Sequence, residues 1–308
     1  MGSASKGYLG PILLVGTGAL ATLFAARLVA AGRSVSMLGN WPRGLQALSA
    51  EGARLVTTDG HVEAFPVHAT ARPEEVSGAH IALVLVKAWQ TPEAAEKLSR
   101  CLAPDGVAVT LQNGYGNRER LAEALGAARV AMGTTTTGAT LLGPGLVRPG
   151  GEGMVTLERR PQTSALAAAL RSASFRVRLS EDVLSLLWGK LVINAAINPL
   201  TALLRVTNGE LLKRPAARRL MGELAGEAAA VARAGGVPLP FQNPGLAAEQ
   251  VARKTAGNHS SMFQDIQRGM PTEIDAICGA VTRQGARLGV PTPLNAACWQ
   301  LVQALSNG

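Results

Sequence analysis

Hydrophobic and polar positions change their period once along this chain. Up to about residue 180, short apolar runs alternate with longer stretches of helical spacing. Ile12-Leu13-Leu14-Val15 is the first such run and leads into an apolar helical stretch ending near Ala31; Ser34–Leu38, His80–Val86, Val107–Leu111 and Arg129–Thr135 are others. Short continuous apolar runs bounded by turn residues fit strands buried on both faces. Strands alternating with helices fit βαβ units and a parallel, doubly wound sheet. Residues 53–69 alternate around Asp59-Gly60, a two-residue turn signal, which predicts a hairpin. Segments 140–158 and 174–179 read as additional strands joined by a helix near 163–172. From Glu181 on, the spacing is helical: 182–204, 209–235, 244–256, 259–288 and 293–305. The expectation is an α/β domain over residues 1–180 followed by an all-helical domain over residues 181–308.

Two stretches carry candidate chemistry. Gly16-Thr17-Gly18-Ala19-Leu20-Ala21 joins the first strand to the first helix, the dinucleotide-binding pattern with Ala at the third glycine position. Gly16 permits the tight turn, Gly18 lets backbone approach a pyrophosphate, and Ala21 lets the helix pack close to the strand. The pyrophosphate would sit at the helix N-terminus, where free N–H groups and the dipole favour an anion. A bare glycine turn in an α/β sheet is the plainer alternative. After the second strand the chain reads Gly39-Asn40-Trp41-Pro42-Arg43, with no acid for a ribose 2′-hydroxyl and one base, so a 2′-phosphate, and NADP, is favoured. Lys87-Ala88-Trp89-Gln90, Gln112-Asn113-Gly114-Tyr115-Gly116 and Thr134-Thr135-Thr136-Thr137-Gly138-Ala139 all follow strands, at the edge where open sheets bind ligands. In Leu186–Leu204, an apolar stretch, Lys190, Asn194 and Asn198 are spaced four and four, so they share one helix face. Burying such groups without partners costs roughly 2–7 kcal/mol for a neutral amide and more for a charge. The stripe therefore faces either a polar ligand or solvent; its single charge, with no nearby acid, favours the ligand.

Composition narrows the partners. The formal net charge is +9, but the bases are single or paired, as at Arg159-Arg160 and Arg218-Arg219, and aromatics are only 4% of residues. Nucleic acid is disfavoured and small anions remain. Three cysteines, Cys101, Cys278 and Cys298, without CxxC spacing, argue for a reducing compartment. The four histidines, His61, His68, His80 and His259, lack metal-ligand spacing, and no metal is expected. Residues 12–32 are long and apolar, yet Arg27 lies inside the run and Gly16 and Gly18 interrupt it, so a strand entering a buried helix fits better than a membrane span. Lys6 is the lone charge before that run and makes a poor secretory leader. A soluble cytoplasmic protein with no membrane partner, monomeric or homodimeric, is expected.

The chain resembles the ketopantoate reductases, also called 2-dehydropantoate 2-reductases. The resemblance rests on Gly16–Ala21, Lys87–Gln90, Asn113-Gly114, Met132–Thr136, Trp188-Gly189-Lys190-Leu191, Ile197–Ala202, Asn208-Gly209-Glu210-Leu211, Ser260–Asp265 and Thr272–Asp275, and spans roughly residues 11–305. It implies a Rossmann domain followed by an all-helical domain, and NADPH-dependent reduction of 2-dehydropantoate to pantoate, a step toward pantothenate and coenzyme A. By this resemblance Lys190 is the general acid, and Asn194, Asn198 and Asn208, with Asn113, hold the keto-acid substrate. Ser261 binds its carboxylate, with the backbone through Gln264. Gly16, Thr17, Gly18, Ala19, Leu20 and Ala21 hold the cofactor. Lys87, Asn113 and Ala139 line the nicotinamide side of the cleft, and Glu273 touches the cofactor. Family members commonly place an Arg for the 2′-phosphate where Asn40 stands, and Arg43 is its expected substitute. A reductase of another 2-keto acid or ketone, and a non-catalytic NADP-binding regulator, are the other readings of the same features.

Overall fold

A computed structural model of the chain describes residues 10–306; Lys6 lies outside them. The chain divides into two compact units, Met1–Gln112 with Asn117–Val183, and Asn113–Gly116 with Leu184–Gly308.

In the first unit, β1 (Ile12–Val15) leads into α1 (Ala19–Ala30), then β2 (Val35–Leu38), α2 (Pro42–Glu51), β3 (Ala53–Val56), β4 (Val62–Phe65), β5 (His68–Thr70) and β6 (Ala79–Val84). There follow α3 (Thr91–Cys101), β7 (Leu102–Thr110), α4 (Asn117–Leu125), β8 (Val130–Thr135), β9 (Ala139–Gly143), β10 (Leu146–Pro149), β11 (Met154–Glu158), α5 (Pro161–Ser172) and β12 (Arg176–Ser180). Eight strands form one sheet in the order β12-β11-β8-β7-β6-β1-β2-β5. Because strand side chains alternate faces, Ile12 and Leu14 of β1 pack with Phe24, Leu28 and Leu166 from α1 and α5. Leu13 and Val15 pack on the other face with Ala94, Leu98 and Leu121 from α3 and α4. Helices thus cover both faces, which is why these strands read as unbroken apolar runs.

The expected all-parallel sheet needs correction. From β5 through β8 the pairs are parallel, but β11 pairs β8 antiparallel, so β11 and β12 run against the rest. The hairpin at Asp59-Gly60 forms as expected between β3 and β4. It belongs to a second sheet, of order β4-β3-β10-β9, that the apolar pattern of segment 140–158 did not distinguish.

The second unit is helical: α6 (Val183–Leu204), α7 (Glu210–Lys213), α8 (Pro215–Ala234), α9 (Pro244–Lys254), α10 (Ser261–Gln267), α11 (Cys278–Leu288) and α12 (Pro293–Ser306). Two expected helices are each broken in two. Pro215 separates α7 from α8, since proline fits the first helical turn but not the interior. The span 259–288 breaks after Gln267, where Gly269 adopts φ +62° and Pro271 follows. Its turn carries buried Thr272, Glu273 and Ile274. Helix α6 is long and apolar enough to cross a membrane, but 67% of its most apolar window is buried. Trp188, Leu191, Val192, Ala195 and Leu200 pack with Met221, Leu224, Ile277 and Val281, so it is the core helix of this unit.

Candidate active site

The glycine loop of the first unit is built as its sequence requires. Gly16 has φ +131°, and a Cβ there would lie 3.3 Å from the backbone of Leu85 and Val86. Its N–H donates to Leu38 O at 2.8 Å, tying the turn to the end of β2. Thr17 is buried against Gly39, where a Cβ would meet Thr17 Cγ2 at 2.6 Å. Gly18 is the exposed N-cap of α1, and a Cβ there meets nothing within 4 Å. No side chain caps α1 and no acid stands in its first turn, while Ala19 and Leu20 are half-buried and Ala21 fully buried. An uncapped, acid-free helix N-terminus approached by glycine suits a pyrophosphate, so the residues fit a dinucleotide.

Asn40 is exposed and engaged: its Nδ2 donates to Glu93 Oε2 at 2.6 Å and its Oδ1 accepts from Gln90 Nε2 at 3.2 Å. Arg43 is exposed in the first turn of α2. Lys87 is half-buried after β6, and its N–H donates to Gln90 Oε1 at 3.3 Å. Ala139 opens β9, half-buried, opposite Pro149.

In the second unit, Lys190, Asn194 and Asn198 occupy successive turns of α6, and none is fully exposed. Lys190 and Asn194 are half-buried, and Asn198 is only 8% exposed. Lys190 Nζ donates to Asn113 Oδ1 at 2.7 Å, and Asn113 Nδ2 donates to Glu273 Oε2 at 3.0 Å. Asn113 therefore bridges an ammonium and a carboxylate. Burial lowers the Lys190 ammonium to a pKa of about 8, and the nearby Glu273 carboxylate opposes that shift without cancelling it. Local packing explains the placement. Gly114 has φ +86°, and a Cβ there would strike Ala276 at 2.5 Å. The Tyr115 N–H then donates to Ala276 O at 2.8 Å, which holds Asn113 beside the Glu273 turn. Gly189 leaves room for Pro240, which a Cβ would meet at 2.7 Å, and the Trp188 ring lies 5.2 Å from Tyr115.

The Asn194 and Asn198 carboxamides make no hydrogen bond among the described residues. Asn208 donates to Thr255 Oγ1 at 2.8 Å, but its buried Oδ1 has no partner. An unmatched buried acceptor costs about 1–3 kcal/mol, and a substrate hydroxyl is a group that would satisfy it. Ser261 is exposed at the start of α10, and Gln264 Nε2 donates to His259 O at 3.0 Å. The capping residue is Ser260, whose Oγ accepts from the Phe263 N–H at 3.1 Å and lies 2.7 Å from Thr201 Oγ1. Pro199 inside α6 has no N–H for Ala195 O, and the buried Cys278 thiol donates there at 3.8 Å. Sequence reasoning missed Glu93 and Lys97 around Asn40, the contact of Gln90 with Asn40, and the Asn113 bridge to Lys190. Residues that meet only through the fold leave no local pattern.

These features coincide with a known family. The model described as "Ketopantoate reductase PanE/ApbA" matches residues 12–162, and "Ketopantoate reductase PanE/ApbA C terminal" matches residues 182–306. The chain belongs to the ketopantoate reductase family. It is 34% identical over 302 residues to a 2-dehydropantoate 2-reductase of Archaeoglobus fulgidus, covering 96% of this chain and 98% of that one. Among solved structures it is similar to a PanE/ApbA family ketopantoate reductase from Ralstonia eutropha, with TM-score 0.90 and 33% identity over 96% and 98% of the two chains. It is also similar to a D-mandelate dehydrogenase solved with NADH and anilino(oxo)acetate, with TM-score 0.89 and 25% identity over 96% and 98%.

Proposed function

We propose that this chain is a 2-dehydropantoate 2-reductase that reduces the ketone of its 2-keto acid with NADPH to give pantoate. The observation that carries the reading is the half-buried Lys190 ammonium, aimed by Asn113 and beside Glu273, in a member of this family. NADPH, when bound on the Gly16–Ala21 loop, supplies the hydride. As charge develops on the carbonyl oxygen, Lys190 Nζ stabilises it and delivers a proton to that atom. Asn113 holds the ammonium in place by accepting one of its N–H bonds. Asn194 and Asn198 donate to the hydroxyl and carboxylate without adding charge, Asn208 offers its unmatched Oδ1 to the hydroxyl, and Ser261 with the α10 backbone through Gln264 meets the carboxylate. Lys87 and Ala139 border the nicotinamide. The enzyme works as a soluble cytoplasmic monomer or homodimer on a small molecule, without nucleic acid or membrane.

Steady-state turnover of 2-dehydropantoate with NADPH tests this reading; no turnover over background refutes it. A second reading, reduction of a different 2-keto acid, is favoured by the likeness to D-mandelate dehydrogenase. A panel including phenyl-substituted keto acids separates the two through kcat/KM.

Two further outcomes follow. A Lys190 pKa of about 8 means the acid is mostly protonated at neutral pH. Reduction needs the protonated form, so kcat/KM should be flat below that value and fall as pH rises through about 8. A flat profile to pH 10 would remove Lys190 from proton delivery. Arg43→Ala should weaken NADPH about tenfold, the lower end expected for an exposed charge-assisted contact, and leave NADH unchanged. An NADPH preference that survives this change would move phosphate recognition to another base.

A further inference from the structure

The residues following β2 contain no acid, yet a carboxylate stands beside them. Glu93, in the first turn of α3, accepts from Asn40 Nδ2 at 2.6 Å and pairs with Lys97 at 3.1 Å. Lys97 Nζ also donates to Gly39 O at 3.3 Å, so Glu93 is pinned to both residues that follow Leu38. The direction of the Asn40 carboxamide is set by chemistry. A carboxylate only accepts, so Asn40 turns its NH2 to Glu93 and its Oδ1 to Gln90. The Glu93 side chain keeps 46% of its surface, whereas Lys97 keeps 20%. The charge open to a ligand here is therefore more the carboxylate than the ammonium. In Rossmann domains the end of the second strand reads the adenosine ribose. A carboxylate there accepts from a free 2′-hydroxyl and repels a 2′-phosphate.

We propose that Glu93 is a cofactor-specificity residue: its carboxylate, set at the end of β2 by Lys97 and Asn40, favours a free adenosine 2′-hydroxyl and narrows the margin by which the protein takes NADPH over NADH. The inference rests on the Gly16–Ala21 loop being a dinucleotide site. Arg43 acts in the opposite sense, and Lys97 offsets part of the Glu93 charge, so the margin is a difference of opposed interactions.

Titration calorimetry of the full chain tests it with NADP+ against NAD+, and with 2′,5′-ADP against 5′-AMP. Glu93→Gln keeps the size and an acceptor for Asn40 and removes the charge. It should tighten NADP+ and 2′,5′-ADP by about five- to tenfold at low salt. NAD+ and 5′-AMP should stay within about twofold or weaken, because Gln accepts less strongly from a hydroxyl. Added KCl should shrink the gain, since exposed charges are screened. In a second variant, Asn40→Arg should tighten 2′,5′-ADP more when Glu93→Gln is also present, because Glu93 otherwise pairs with the new guanidinium. An unchanged NADP+ to NAD+ ratio in Glu93→Gln, or an arginine effect equal in both backgrounds, overturns this inference alone. Failure of the unmutated protein to bind any of the four ligands overturns the dinucleotide reading together with it.

Discussion

Lys190→Ala is expected to lower kcat by about 10²-fold or more, the size of a lost general acid. Several observations converge on that side chain. It is the charge in a helix stripe whose other members are carboxamides, its Nζ is 2.7 Å from Asn113 Oδ1, and burial brings its pKa to about 8. A proton donor with a pKa near the working pH combines a high protonated fraction with easy release. The alanine variant should also lose the decline in kcat/KM above about pH 8. Its fold should survive, because Asn113 still donates to Glu273 and the Lys190 stem contributes little of the α6 core. Dinucleotide affinity should be unchanged within about twofold, since the Gly16–Ala21 loop that fits the pyrophosphate belongs to the first unit. A variant with near-parental kcat would end the assignment, whatever its KM.

Gly18→Val should weaken NADPH by roughly 10²-fold, about 2.7 kcal/mol, with a folded protein left behind. The local geometry makes this a clean test. Gly18 has φ −85° and ψ −170°, ordinary extended backbone open to any residue, and an added Cβ meets no protein atom within 4 Å. The backbone and the space around Cβ tolerate a side chain, so with a folded variant the loss in affinity belongs to the ligand. Gly16 would be a poorer choice, because φ +131° and the backbone of Leu85 and Val86 penalise any side chain before cofactor arrives. Fluorescence titration gives the affinity directly. An unchanged Kd in a folded variant would mean that the pyrophosphate does not lie over Gly18.

Much of the first unit was legible because its signals are local. The β1–loop–α1 segment was readable since a buried strand, two glycines and an alanine must stand in that order for a close turn. The hairpin at Asp59-Gly60 was readable for the same reason. What was not legible depends on partners far along the chain. Nothing in Met154–Glu158 says that it lies antiparallel to β8, and nothing in Leu146–Pro149 says that it leaves the main sheet for a second one. The break after Gln267 was signalled by Gly269 and Pro271, but the apolar periodicity on either side outweighed them. In the candidate site, the α6 stripe was evident from spacing alone, and family resemblance assigned its members roles. The absence of an acid after Leu38 was read correctly as sequence. It was incomplete as chemistry, because Glu93 reaches Asn40 from 53 residues away.

The bridge from Lys190 through Asn113 to Glu273 also bears on how the protein is made. Asn113 lies in a four-residue piece that belongs to the second unit, although the chain on both sides of it belongs to the first. A ribosome delivers Asn113 well before Lys190, and Glu273 only when two helices, α11 and α12, remain. The first unit's glycine loop is complete early, whereas the lysine acquires its full setting near the end of translation. A prematurely terminated chain lacking Glu273 would thus carry the nucleotide-binding elements without a finished proton donor. Conversely, a fragment begun at Leu184 would hold the lysine and the glutamate with no asparagine to join them.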